Sequence, residues 1–235
     1  MNKEGEIIIH LENVSKYYPM GDTIVKAVNG VTISVRKGDF VVLMGPSGSG
    51  KSTSMHLIGS LDVPTRGKVF LKNKNISSMS ESELAILRGK NVGFIFQQFN
   101  LIPTLTVKEN IMLPMSLQGY SLEEKEKKVN GLLEKLGLSD RANHFPNQIS
   151  GGQQQRVAIA RALANDPEVI LADEPTGNLD SATGKKVMEF LSKLHKEGKT
   201  IVMVTHEFDL IKDYAHIIYW LRDGKVERVA KGPGK

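Results

Sequence analysis

Apolar runs and their periods divide this chain before any motif is considered. Ile7 to Leu11, Val25 to Val35 and Phe40 to Met44 are rich in β-branched and apolar residues and predict strands, with Lys37-Gly38-Asp39 as a turn. Ser52 to Leu61 then switches to helical spacing, which puts Met55, Ile58 and Leu61 on one face. Val69 to Leu71 and Val92 to Phe96 predict short strands, separated by a polar segment in which Leu84, Leu87 and Arg88 fit a short helix.

From about Asn100 the period is helical throughout. Thr106 to Gln118 predicts a helix that Pro114 kinks or breaks. Ser121-Leu122-Glu123-Glu124 is a capping box, followed by Val129, Leu132, Leu133 and Leu136 on one face and Gly137 as a cap. No strand pattern occurs before Gln148, so residues 100–148 read as a second, helical lobe within a core of 1–99 and 149–235.

Alternation of strands and helices resumes afterwards. A helix follows Gly151, a strand spans Val169 to Ala172, and a helix spans Ala182 to His195 with Val187, Phe190, Leu191 and Leu194 inward. Thr200 to Val204 is a strand, and His216 to Leu221, Asp223-Gly224 and Lys225 to Val229 form a hairpin signal. Buried strands alternating with helices predict an α/β fold around a largely parallel sheet.

Composition narrows the functional classes. With 235 residues and 40% hydrophobic content, one substantial domain is expected. Lysine plus arginine exceed aspartate plus glutamate by 31 − 26 = +5, without a polybasic tract, so no nucleic-acid stripe is expected. Cysteine is absent, which excludes disulfides, cysteine-held iron–sulfur clusters and thiol catalysis. No apolar run has membrane-spanning length and the polar start, Met1-Asn2-Lys3-Glu4-Gly5-Glu6, is not an export signal. A cytoplasmic polypeptide with no direct membrane insertion is expected.

Four segments carry the chemistry. Gly45-Pro46-Ser47-Gly48-Ser49-Gly50-Lys51-Ser52 meets every requirement of a phosphate loop: glycines where a Cβ would obstruct the anion, amides at a helix start, Lys51 for the β- and γ-phosphates and the Ser52 hydroxyl for Mg²⁺. Thr53 is placed to donate to the α-phosphate. The apolar strand Val169 to Ala172 ends in Asp173, suited to Mg²⁺, and Glu174, suited to activating water. Ser150-Gly151-Gly152-Gln153 is a second anion-binding helix start, which one chain with a complete loop does not need. It makes sense as the lid on another copy's nucleotide. His206, directly after a strand, can meet the γ-phosphate; Gln97 can contact metal-bound or attacking water. Alone, each fits equally a solvated loop side chain or a histidine fixed by backbone. The remaining histidines have no metal-ligand spacing, so no zinc site is assigned.

Together these residues resemble the nucleotide-binding subunits of ATP-binding-cassette transporters over essentially the whole chain. Gly93 to Pro103 and Asp173-Glu174-Pro175-Thr176-Gly177-Asn178-Leu179-Asp180 are similar to the ATPases of lipoprotein-releasing and macrolide-exporting systems. The resemblance implies a P-loop NTPase core with a mostly parallel central sheet, an N-terminal antiparallel β subdomain and an inserted helical subdomain. It implies Mg-dependent ATP hydrolysis by a head-to-tail pair of copies around two ATP molecules. Lys51, Ser52 and Asp173 match the phosphate and magnesium ligands, and Gln97, a further candidate at the metal, matches the glutamine of the loop linking nucleotide to permease. Glu174 matches the catalytic carboxylate, His206 the switch histidine, Ser150, Gly151 and Gly152 the signature, and Asp180 the interface aspartate. The resemblance also implies an aromatic residue stacked on adenine, Tyr18 or Tyr17 beside it. Ile149 stands where the family has leucine, a volume-conserving change. The implied partner is a separate FtsX/MacB-like integral membrane permease, driven in export or in mechanical coupling across the bilayer. The competing reading is a non-transport ATPase of the same design, acting in cell division, DNA repair or translation. Those proteins use coiled coils, paired cassettes or added lobes, for which a single short cassette has no room.

Overall fold

The computed structural model describes residues 5–232; the polar start of the chain before Gly5 lies outside them. Contacts divide the chain into two compact units, one of residues up to Leu84 together with those from Leu191 onward, the other of Ala85–Phe190.

The first unit opens with two long strands, β1 (Ile7–Met20) and β2 (Thr23–Arg36), paired antiparallel around a turn at Gly21-Asp22. β1 runs nine residues beyond its apolar start because β2 pairs with it as far as Met20 opposite Thr23, through several register shifts. β3 (Phe40–Met44) is buried at every position and leads into α1 (Lys51–Ile58). β4 (Arg66–Leu71) and the two-residue β5 (Lys74–Asn75) complete an antiparallel sheet ordered β2-β1-β4-β5.

The second unit begins within α2 (Glu81–Asn91). β6 (Val92–Ile95) leads to α3 (Val107–Ser116) and α4 (Leu122–Lys135). Capping boxes at Thr106/Glu109 and Ser121/Glu124 start these helices. Each box satisfies two amides that the first turn would otherwise leave orphaned. Pro114 sits inside α3 without ending it. α5 (Gly151–Leu163), β7 (Val169–Asp173) and α6 (Ser181–Lys196) follow. β6 and β7 are parallel, with Ile95 opposite Ala172.

The chain then returns to the first unit through β8 (Thr200–Val204), the short α7 (Phe208–Ile211), β9 (Ile217–Arg222) and β10 (Lys225–Lys231). β3 lies between β8 and β9, parallel to both, and β10 closes antiparallel on β9. Asp223 and Gly224 both have positive φ, 48° and 73°, and Arg222 pairs with Lys225, the geometry of a two-residue primed turn. In both units the expected parallel pairing is present.

Candidate nucleotide site

β3 carries the chain through the core and releases it at Gly45, where the phosphate loop begins. Two of its glycines are demanded by the protein's own backbone as well as by any ligand. A Cβ on Gly45 would lie 2.1 Å from the Leu221 carbonyl oxygen, and one on Gly50 would lie 2.3 Å from that of Ala27. Both also have positive φ, 150° and 95°. A Cβ on Gly48 would meet nothing within 4 Å, so the loop's outer side is open. Its inner side is fixed by the β9–β10 turn: the Gly224 amide donates to Ser49 O at 3.1 Å and the Asn29 amide to Gly224 O at 2.7 Å. Lys51 starts α1, is 8% exposed, and donates through Nζ to Gly45 O and Pro46 O, both at 2.8 Å. These acceptors carry no net charge, so the ammonium keeps its charge for an anion. Ser47, Gly48 and Ser52 are exposed, and no side chain caps α1. The loop therefore fits a polyphosphate: open amides, a lysine within the loop and a hydroxyl at the helix start.

β8 is in register with β3 and ends beside it; the Thr205 amide donates to Leu43 O at 3.3 Å. His206 thus emerges, exposed, at the same edge as the loop. Tyr18 and Tyr17 diverge. The Tyr18 hydroxyl donates to Asp62 Oδ2 at 2.8 Å, whereas Tyr17 donates to Asn29 Oδ1 at 3.1 Å. Burial, then the hydrogen bond to Asp62 and its charge, push the Tyr18 phenol from 10.0 up to about 12, against an opposing bond from Thr53. The folded state thus favours the neutral phenol. Its contribution to stability is complete below pH 10.0 and is lost as pH rises through about 12. An ultraviolet difference titration of wild type against Tyr18→Phe should isolate one phenol ionising near 12, and Asp62→Asn should move it down.

In the second unit, parallel β6 and β7 release Gln97 and the Asp173-Glu174 pair at one edge. Glu174 has φ 42°, in the left-handed region, so the strand ends sharply there and the two carboxylates leave on different courses. The Gly177 amide donates back to Glu174 O at 3.0 Å and closes the turn. Three residues to which the sequence assigned no role of their own hold this edge. Asn178 Nδ2 donates to Gln97 O at 2.8 Å, and Gln155, 1% exposed on α5, donates to Pro175 O at 2.8 Å. Arg161, also on α5, donates to Phe99 O at 2.8 Å and to Asn100 O at 2.5 Å. Burial lowers the Arg161 pKa.

Ser150 caps α5 reciprocally with Gln153: Ser150 Oγ accepts from the Gln153 amide at 3.3 Å, and Gln153 Oε1 accepts from the Ser150 amide at 2.8 Å. Gln153 is therefore committed to shaping the helix start, while the Ser150 hydroxyl proton stays available. Ser150 and Gly151 are exposed; a Cβ on Gly152 would come within 3.0 Å of Thr183 Cγ2. Asp180 caps α6, accepting from the Thr183 amide at 3.0 Å and hydroxyl at 2.7 Å. The Thr183 hydroxyl, then its amide, lower the Asp180 pKa. Ser150, Gly152 and Asp180 line one cavity of about 470 Å³ with the cationic side chains Lys135, Arg156 and Lys186.

A cradle for polyphosphate, a strand ending in paired carboxylates and a second capped helix start define a P-loop nucleotide hydrolase. The family model described as ABC transporter matches residues 28–177. An uncharacterised ABC transporter ATP-binding protein of Methanocaldococcus jannaschii is 52% identical over 222 residues, covering 94% of this chain and 99% of its own. The macrolide export ATP-binding/permease protein MacB of Hyphomonas neptunium is 47% identical over 219 residues, 93% of this chain but 34% of its own length. The solved dimeric structure of the ATP-binding cassette MJ0796, in a post-hydrolysis state bound to ADP and Pi, superposes with a TM-score of 0.89 at 48% identity, covering 97% of this chain and 100% of that one. The chain belongs to the ABC transporter family, as one of its ATP-hydrolysing subunits. Its fold is the P-loop NTPase α/β fold, with an antiparallel N-terminal sheet, a larger mostly parallel sheet and helical insertions.

Proposed function

We propose that this chain works as a head-to-tail pair of copies that binds two ATP molecules and drives a separate FtsX/MacB-like permease. The observation that carries it is the phosphate loop, held in shape by Leu221, Ala27 and Gly224 and presenting Lys51 and Ser52 to an anion. Lys51 binds the β- and γ-phosphates, and the Thr53 hydroxyl serves the α-phosphate. Tyr18 stacks on adenine; its bond to Asp62, in the loop that follows the phosphate-loop helix, favours it over Tyr17. Ser150, Gly151 and Gly152 close over the terminal phosphate of the other copy, positioned by the Gln153 cap, with Asp180 at the interface.

Magnesium, when bound, neutralises charge on the phosphoryl oxygens. The Ser52 hydroxyl, the Asp173 carboxylate and the Gln97 amide oxygen are the hard donors that would hold it. Glu174 accepts a proton from the attacking water as the water oxygen bonds to the γ-phosphorus and the bond to the ADP oxygen breaks. His206 steadies the γ-phosphate. Positioning and preorganised charge supply the rate.

Residues 100–148 form the helical lobe of a single ATPase domain whose core is 1–99 and 149–235. The Gln97 loop, tied to α5 by Arg161, reports the nucleotide's state to the permease. Among the described residues no helix is long and apolar enough to cross a membrane. In this reading the permease holds the chain at the inner membrane face. The test is isolation of the native complex. An integral membrane protein should copurify and stimulate hydrolysis, and charged residues across Asn100 to Thr104 should abolish that stimulation while basal turnover persists. Salt-sensitive retention on DNA or ribosomes, without a membrane partner, would refute the reading.

A further inference from the structure

The loop between α1 and β4 carries a carboxylate that the nucleotide chemistry does not use. Asp62 is fully engaged: Oδ1 accepts from Lys16 Nζ at 2.5 Å and from the Val63 amide at 2.8 Å, and Oδ2 accepts from the Tyr18 hydroxyl at 2.8 Å. Lys16 also donates to Val63 O at 2.9 Å, so the lysine and the carboxylate grip one another and the same piece of main chain. The Lys16 ammonium stands 5.1 Å from the centre of the Tyr18 ring, over its face. Burial pushes the Asp62 carboxyl up, but hydrogen bonds from Lys16 and Tyr18 outweigh it and hold the pKa low.

We propose that Asp62 is a positioning residue for the base: locked by Lys16 and the Val63 amide, it fixes the Tyr18 ring so that one face is held by the lysine and the other receives the purine. The inference rests on the reading of Tyr18 as the adenine-stacking residue. Left to itself, a tyrosine near a hairpin tip turns about two side-chain torsions, and fixing them on binding costs affinity. Asp62 removes that cost beforehand. The network joins the β1–β2 hairpin to the loop after the phosphate-loop helix, because Tyr18 belongs to β1 whereas Asp62 follows α1. Asp62 touches no nucleotide atom in this scheme and acts only through the tyrosine.

The test is to titrate the full-length protein with ATP and, separately, with inorganic tripolyphosphate, for wild type, Asp62→Asn, Tyr18→Phe, Tyr18→Ala and the Asp62→Asn/Tyr18→Phe pair. Asp62→Asn should weaken ATP roughly tenfold, leave tripolyphosphate unchanged and raise KM rather than lower kcat. In the Tyr18→Phe background the same change should have little further effect, since the bond it breaks is already gone. Equal weakening of ATP and tripolyphosphate by Asp62→Asn would mark a structural ion pair and overturn the proposal. So would a full Asp62 effect in the Tyr18→Phe background. Tyr18→Ala separates the two levels. If it leaves ATP affinity intact, the adenine reading fails; if it weakens ATP while Asp62→Asn does not, only the positioning role fails.

Discussion

Glu174→Gln should cut turnover sharply while ATP binding survives. The amide is nearly the same shape as the carboxylate and still accepts a hydrogen bond from water, but it cannot take the proton. The loss of a general base is worth about 10²- to 10⁴-fold in kcat. The fold should be untouched for a specific reason. Glu174 holds its left-handed φ of 42° through main-chain contacts, the Gly177 amide on its carbonyl and the Gln155 amide on the next one, and neither depends on the carboxylate. A substitution that only changes the side-chain head keeps both of those main-chain bonds. Because hydrolysis is what reopens the pair, the variant should accumulate as an ATP-dependent dimer in light scattering, with wild-type melting temperature in the absence of nucleotide. Retention of wild-type kcat would assign the base elsewhere, and loss of ATP affinity would make Glu174 a binding group instead.

Much of this site was legible because phosphate chemistry is written in contiguous residues. The loop from Gly45 to Ser52 and the helix start at Ser150 each gather their amides, hydroxyls and glycines within a few positions, so spacing alone reveals them. β3 and β8 were legible residue by residue because every side chain in them is buried and no alternation competes. The stretch from Ser15 to Met20 was not. Its polar and aromatic residues and Pro19 do not alternate cleanly, and it is a strand because β2 pairs with it across a two-residue turn. That cost the sequence reading the context of Tyr18, and with it the choice between Tyr17 and Tyr18. The residues that hold the site were hidden for a different reason. Arg161, Gln155 and Asn178 each donate to main-chain carbonyls 61, 20 and 81 positions away or thereabouts, and a carbonyl leaves no mark on sequence. The loop glycines have a second cause. Gly45 and Gly50 were expected for close approach to phosphate, yet Leu221 O and Ala27 O already forbid a side chain at either place.

Two inactive variants should restore activity to one another when mixed, which is the most demanding consequence of a shared site. Lys51→Met keeps the buried stem but removes the charge that meets the phosphates. Gly151→Asp spoils the signature of the same chain without cost to the fold: a Cβ there comes no nearer than 3.9 Å to Phe99 Cζ, and a carboxylate suits the start of α5. It would repel the partner's terminal phosphate all the same. Gly152 would be the wrong choice, since Thr183 Cγ2 at 3.0 Å confuses packing with chemistry. Each homodimer has two broken sites, and each should lose turnover by about 10²-fold or more. A mixed dimer joins the intact loop of the Gly151→Asp chain to the intact signature of the Lys51→Met chain, so one of its two sites is whole. With random pairing, half the dimers are mixed, and if sites fire independently the mixture should recover about a quarter of wild-type activity. A site contained in one chain predicts no recovery at any ratio. Recovery that peaks at equal proportions and vanishes on dilution below the dimerisation range can only come from a nucleotide held by two copies at once.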